Sequence, residues 1–156
     1  MITPAEPPVS GRQLRFLPVP YREAFSEPGA PFLFFHENPA QPGARPVVYT
    51  RGDFLILALK AADVLKRLGI ERGVRFLNAF GANSPMDLAF RLGAALAGAT
   101  PVTLNWQADT AKRAGFKASL SMASLILTDG LLDPAVIEAV KAARPGIKIY
   151  EAERLS

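Results

Sequence analysis

The residues best placed to do chemistry lie in one short segment, Phe80-Gly81-Ala82-Asn83-Ser84-Pro85. It joins an apolar stretch to a helix start, with Ser84 able to cap and Pro85 at the first helical position. Unpaired backbone N–H groups and the helix dipole at such a junction favour an anion. Gly81, Asn83 and Ser84 are therefore candidate cofactor-binding residues. The plainer alternative is that Gly81 relieves a tight turn and Ser84 only caps. Trp106, the single tryptophan, follows an apolar stretch ending at Leu104. It is a candidate either to floor a substrate pocket or to seal a sheet end.

Other chemistry-bearing patterns fall away. No G-x-x-x-x-G-K-[ST] and no G-x-G-x-x-G follows a predicted strand. His36 is the only histidine and makes neither a metal site nor a triad. The serine-rich Ser119–Ser124 stretch has no Gly-x-Ser-x-Gly elbow, so a hydrolase nucleophile is not expected there. Arg51-Gly52-Asp53 spells an integrin-binding tripeptide but sits in the first turn of a helix. Asp53, Asp63, Asp87, Asp109, Asp129 and Asp133 read as first-turn, cap or turn residues. No catalytic residue and no metal ligand is predicted.

The bulk properties set further bounds. The chain has 156 residues, 49% hydrophobic and 21% charged, which fits a soluble globular protein with one core. With no cysteine, disulfides, thiolate catalysis and zinc–thiolate sites are excluded. A net charge of +4 mildly favours polyanions. The cations between Arg12 and Arg75 are scattered, however, and no stacking aromatic is interleaved with a basic run, so nucleic-acid binding is not expected. The N-terminus lacks a signal-peptide pattern, and the longest purely apolar run, Phe54 to Leu59, is too short to span a bilayer. The expected location is cytoplasmic.

These residues need elements to position them. Ten of the 14 prolines lie between Pro4 and Pro46, which predicts a Pro-rich irregular arm over residues 1–46. Within it, Leu14–Phe25 is expected to pack irregularly on Phe16, Leu17, Tyr21 and Phe25, and Phe32–Phe35 to be a short buried segment or strand. Residues 47–156 read as an α/β subdomain. Val47–Tyr49 is a strand leading to a helix that Thr50 caps with Asp53 in a Thr-x-x-Asp box. Phe54, Ala58, Ala61, Leu65 and Leu68 form its apolar stripe, and Gly69 with Ile70 its Schellman end. Strands over Val74–Ala79, Thr100–Leu104, Leu125–Leu127 and Ile147–Tyr150 alternate with helices starting near Ser84, Thr110 and Asp133. For the helix after Ser84, Leu88, Leu92 and Leu96 with Ala95 are the predicted buried face. This alternation means βαβ units and a mainly parallel sheet flanked by helices.

The landmarks also carry a resemblance. Tyr49-Thr50 to Asp53, Leu68-Gly69-Ile70, Gly73-Val74-Arg75, Asn83-Ser84-Pro85, Gly98-Ala99 to Asn105 and Leu125 to Asp129 follow one another as in the AMP-binding, adenylate-forming acyl-CoA synthetase superfamily. The match runs over residues 47–130. Arg51-Gly52 precedes Asp53 where Glu is usual, and Ser121-Met122 stands where an Asp/Ser-Gly turn is common. The resemblance implies an N-terminal subdomain of an enzyme that activates a carboxylate with ATP and magnesium and passes the acyl group to coenzyme A. The family's phosphate loop and its catalytic lysine have no counterpart in this sequence. The chain alone is therefore expected to be inactive and to bind no cofactor by itself. Its expected partner is a missing C-terminal portion of the enzyme, or a second copy through an exposed apolar face. The alternatives are a stand-alone α/β module that binds a small ligand or protein, and a subunit that completes an adenylating enzyme in trans.

Overall fold

The structure, a computed structural model, describes residues 19–37 and 43–152. The chain divides into two units, Met1–Ile56 and Leu57–Ser156. In the first, helix α1 (Val19–Ser26) precedes strand β1 (Pro31–Phe35), which pairs antiparallel with β2 (Val47–Thr50). Helix α1 replaces the irregular packing expected within Leu14–Phe25. Pro20 falls in its first turn, where a missing N–H costs nothing, and the next proline, Pro28, lies beyond its end. Tyr21 and Ala24 are buried as anchors, whereas Phe25 is exposed; Phe16 and Leu17 lie outside the described residues. Phe32–Phe35 is a strand rather than a buried segment, since Phe34 points into solvent.

Helix α2 (Arg51–Arg67) begins as its sequence dictates. The Thr50 hydroxyl accepts from the Asp53 N–H at 3.1 Å, and Asp53 accepts from the Thr50 N–H at 2.9 Å. The two bonds from Thr50, by backbone and then by side chain, hold the Asp53 carboxyl below its ordinary range. Arg51 reaches Glu27 at 2.7 Å and Glu23 at 3.5 Å, and the rings of Phe32 and Tyr49 pack on buried Phe54. The helix ends in the predicted Schellman geometry, with Ile70 N–H on the Leu65 carbonyl and Gly69 at φ 77°.

In the second unit, β3 (Arg75–Ala79), β4 (Thr100–Thr103), β5 (Leu125–Thr128) and β6 (Lys148–Glu151) form a parallel sheet in the order β4-β3-β5-β6. Helices α3 (Pro85–Ala97), α4 (Ala111–Ser121) and α5 (Pro134–Ala143) make the crossovers. The alternation of strand side chains separates two cores. Phe76, Phe80, Leu125 and Leu127 pack with Ala61 and Leu65 of α2 and with Phe90, Ala94 and Ala97 of α3. Leu77, Ala79 and Ile126 pack with Ala114 and Ala118 of α4 and with Val136 and Val140 of α5. Each fully buried Phe or Leu contributes roughly 2 kcal/mol of transfer free energy.

The buried face of α3 differs from the predicted one. Pro85, Ala89, Phe90, Gly93, Ala94 and Ala97 face inward, while Leu88, Leu92 and Leu96 are only half-buried and Ala95 is exposed. The reason is helix spacing. A Cβ at Gly93 would lie 2.7 Å from the Ala61 Cβ and 2.8 Å from the Ala58 carbonyl oxygen. Small residues let α3 approach α2 this closely, and leucines on that face would force the helices apart.

Candidate functional site

The sheet order sets where a ligand can sit. The chain leaves β3 toward β4 on one side, then crosses to β5 on the other, so the carboxyl ends of β3 and β5 flank a topological switch point. Asp129, just past β5, bridges the two ends. Its Oδ1 accepts from Gly81 N–H at 2.9 Å and from Leu131 N–H at 3.1 Å. Gly81 has to be glycine there, because a Cβ would collide with the Leu131 carbonyl and lie 2.7 Å from the Leu132 nitrogen.

Two cavities open along these loops. One, of about 260 Å³, runs from Gly81 past Asn105, Trp106 and Asp109 to Leu131, Asp133 and Val136. The other, of about 230 Å³, lies between Ala82, Asn83, Asp87 and Arg91 on one side and Thr103 to Gln107 on the other. Trp106 lines both and is 46% exposed, so its indole stands as a wall between them rather than inside a core.

The loop that presents Trp106 is tied down at both ends. Asp109, buried among polar partners, accepts from Asn105 N–H at 2.7 Å, and pairs with Lys117 at 2.5 Å and Arg113 at 3.0 Å. Lys117 also donates to the Thr103 carbonyl at 3.0 Å. Asn105 Oδ1 accepts from Gln107 N–H at 2.9 Å, and Leu104 N–H donates to the Asn78 carbonyl at 3.0 Å. Burial alone would raise the Asp109 pKa. The Lys117 hydrogen bond, the Asn105 amide and the two cationic charges outweigh it and hold the carboxyl below its ordinary range.

The other candidates are differently employed. Ser84 Oγ accepts from Met86 N–H at 3.1 Å, and Asp87 N–H donates to the Ser84 carbonyl, so the first amides of α3 are spent on the cap. Gly81 N–H is spent on Asp129, which leaves Asn83 exposed at the rim of the second cavity. Asp87 does not close a capping box. It takes Nε and Nη2 of Arg91 at 3.0 and 2.8 Å and accepts from the amide of buried Asn78. Asn78 and Arg91 were not singled out by the sequence, nor was the Asp109–Lys117 pair. An asparagine inside an apolar strand was the available signal for the first. Asp109 and Lys117, eight residues apart, have no short-range signature. Among the described residues no group of three or more His, Asp or Glu could hold a metal ion, and no helix is long and apolar enough to cross a membrane.

No protein-family model matches the sequence, and no curated protein matches it. Solved structures do. A fatty acyl-CoA synthetase from Mycobacterium tuberculosis is 28% identical at TM-score 0.69, over 85% of this chain and 26% of its own. The N-terminal domain of FACL13 from the same organism is 27% identical at TM-score 0.66, over 83% of this chain and 32% of that chain. This chain has the fold of an N-terminal subdomain of the adenylate-forming acyl-CoA ligases. The O-succinylbenzoate coenzyme A synthetase MenE from Bacillus subtilis shares this ligase fold at TM-score 0.65 and 16% identity, over 85% of this chain and 24% of its own. The chain thus spans between 24% and 32% of the lengths of these three solved chains.

Proposed function

We propose that this chain supplies the N-terminal subdomain of an ATP-dependent acid–CoA ligase, acting in a reducing, cytoplasmic setting. In the complete enzyme a carboxylate is adenylated and then transferred to coenzyme A. The observation that carries this reading is the joint match of fold and sequence to the two mycobacterial proteins over more than four-fifths of the chain. The subdomain contributes scaffold and a ligand wall rather than reacting groups: the carboxylates in the two linings are engaged within the fold, Asp87 by Arg91, Asp109 by Lys117 and Arg113, and Asp133 by the Ala135 amide, and no metal cluster is found among the described residues. Electrostatic stabilisation of a transferring phosphoryl group needs donors and cations aimed at the developing charge, and Arg91, the one cation in the two linings, is already forked onto Asp87.

In place of the expectation that the chain alone binds no cofactor, an adenine ring, which both ATP and coenzyme A carry, is the part of the ligands such an enzyme handles that would stack on Trp106. A half-exposed indole on a pinned loop offers a stacking face, worth roughly 1–3 kcal/mol per base. Because Trp106 is the only tryptophan, its emission reports this site alone. Titrating the chain with coenzyme A should quench that emission saturably. No quenching at millimolar coenzyme A would remove the assignment of Trp106. The chain alone should show no carboxylate-dependent ATP–pyrophosphate exchange, and clear exchange would overturn the reading of a non-catalytic subdomain.

A further inference from the structure

Helix α4 carries an apolar surface that neither core nor cavity uses. Phe116 and Leu120, one turn apart, are 64% and 72% exposed, and Met122 at the following corner is 64% exposed. None of the three lines either cavity. The corner itself is unusual. Met122 has φ 52°, the one left-handed residue other than glycine among the described residues, a conformation that costs roughly 1 kcal/mol for a side chain with a Cβ. Arg75 holds it by donating to the Ser121 carbonyl, and Arg144 by donating to the Met122 and Ala123 carbonyls.

The charge around this surface is net positive. Helix α4 contains Lys112, Arg113 and Lys117 and no acidic residue. With Arg75 and Arg144 at its end, five cations stand against the single carboxylate of Asp109. On the neighbouring α5, Glu138 is matched by Lys141 at 2.9 Å and adds no net charge. Lys112 lies one turn before Phe116 on the same face of the helix. Protruding apolar side chains within a cationic surround match a bilayer interface with anionic headgroups, where the chains enter the acyl boundary and the cations meet phosphate.

We propose that the α4 face, through Phe116, Leu120 and Met122, docks the protein on anionic lipid surfaces. The proposal goes beyond the ligase reading and does not depend on it, because vesicle binding reports neither adenylation nor coenzyme A.

The test is flotation of the full chain with vesicles of phosphatidylcholine alone and of phosphatidylcholine mixed with phosphatidylglycerol. Binding is expected to the anionic vesicles only and to weaken with salt. The double variant Phe116→Ser with Leu120→Ser should lose more than about tenfold in binding. Lys112→Gln should lose about fivefold, and Phe34→Ser, an exposed apolar residue elsewhere, should change nothing. Unaltered circular dichroism and an unaltered thermal midpoint would show that the variants fold. Absence of vesicle binding, equal binding to neutral vesicles, or binding that survives the double substitution would overturn the proposal. Self-association abolished by the double variant, without vesicle binding, would overturn it in favour of an interface between copies.

Discussion

The turn after β3 and the loop after β4 both leave the carboxyl end of a parallel strand and enter a helix, yet they use their polar groups in opposite ways. At the Gly81–Ser84 turn the Gly81 amide is taken up by Asp129 and the Met86 and Asp87 amides by the Ser84 cap. In Asn105–Thr110 the loop is tied instead by the buried Asp109 carboxylate, which takes the Asn105 amide, Lys117 and Arg113 and leaves Trp106 outside. One segment closes a fold; the other displays a side chain. A polar-rich loop at a strand end is thus not a site by composition, and what decides is which group remains after the internal hydrogen bonds are counted.

The comparison is broken most strongly at Asp109. Asp109→Ala leaves Lys117 and Arg113 without their counter-ion and should destabilise the second unit by about 3 kcal/mol, read by urea denaturation. The same carboxyl gives an acid limit. Its folded pKa is depressed, so its contribution is complete above the ordinary aspartate pKa of about 3.9 and is lost as pH falls through the lower folded value. The wild type should therefore lose stability below about pH 4, and Asp109→Ala should show a flatter acid limb.

The turn after β3 responds next. Gly81→Ala forces a Cβ against the Leu131–Leu132 backbone and should cost about 2 kcal/mol, seen as a lowered thermal midpoint. Ser84→Ala removes only a cap and should cost about 1 kcal/mol by the same measurement. The smallest effect on stability is expected at Trp106. Trp106→Ala should cost about 1 kcal/mol or less while lowering coenzyme A affinity roughly tenfold by calorimetry. A large loss of stability without loss of affinity would make Trp106 a packing residue and dissolve the contrast between the loops.

What was legible in the sequence was what is decided within a few residues. Thr50, Ser84, Thr110 and Asp133 cap the helices expected of them, and Gly69 and Gly98 end theirs in left-handed conformations. The strand alternation gave the parallel α/β class. Helix α1 was missed because proline was counted by density rather than by its place within the first turn. The buried face of α3 was missed because leucine was ranked above alanine and glycine, although close helix contact selects for small residues. Of the candidate residues, Gly81, Asn83 and Trp106 border the two cavities and Ser84 borders neither. The partners that fix their roles, Asp129 on Gly81 and Lys117 on Asp109, join positions 48 and 8 residues apart and depend on the folded chain.

The contact at Gly93 has a consequence for how such a sequence can change over time. Two of the three atoms that a Cβ there would meet, the Ala58 carbonyl oxygen and the Ala62 nitrogen, belong to the backbone. A lost methyl at position 61 would relieve only the third. No compensating substitution on α2 can therefore make room for a side chain at 93, and lineages of this protein can replace that glycine only by moving a whole helix.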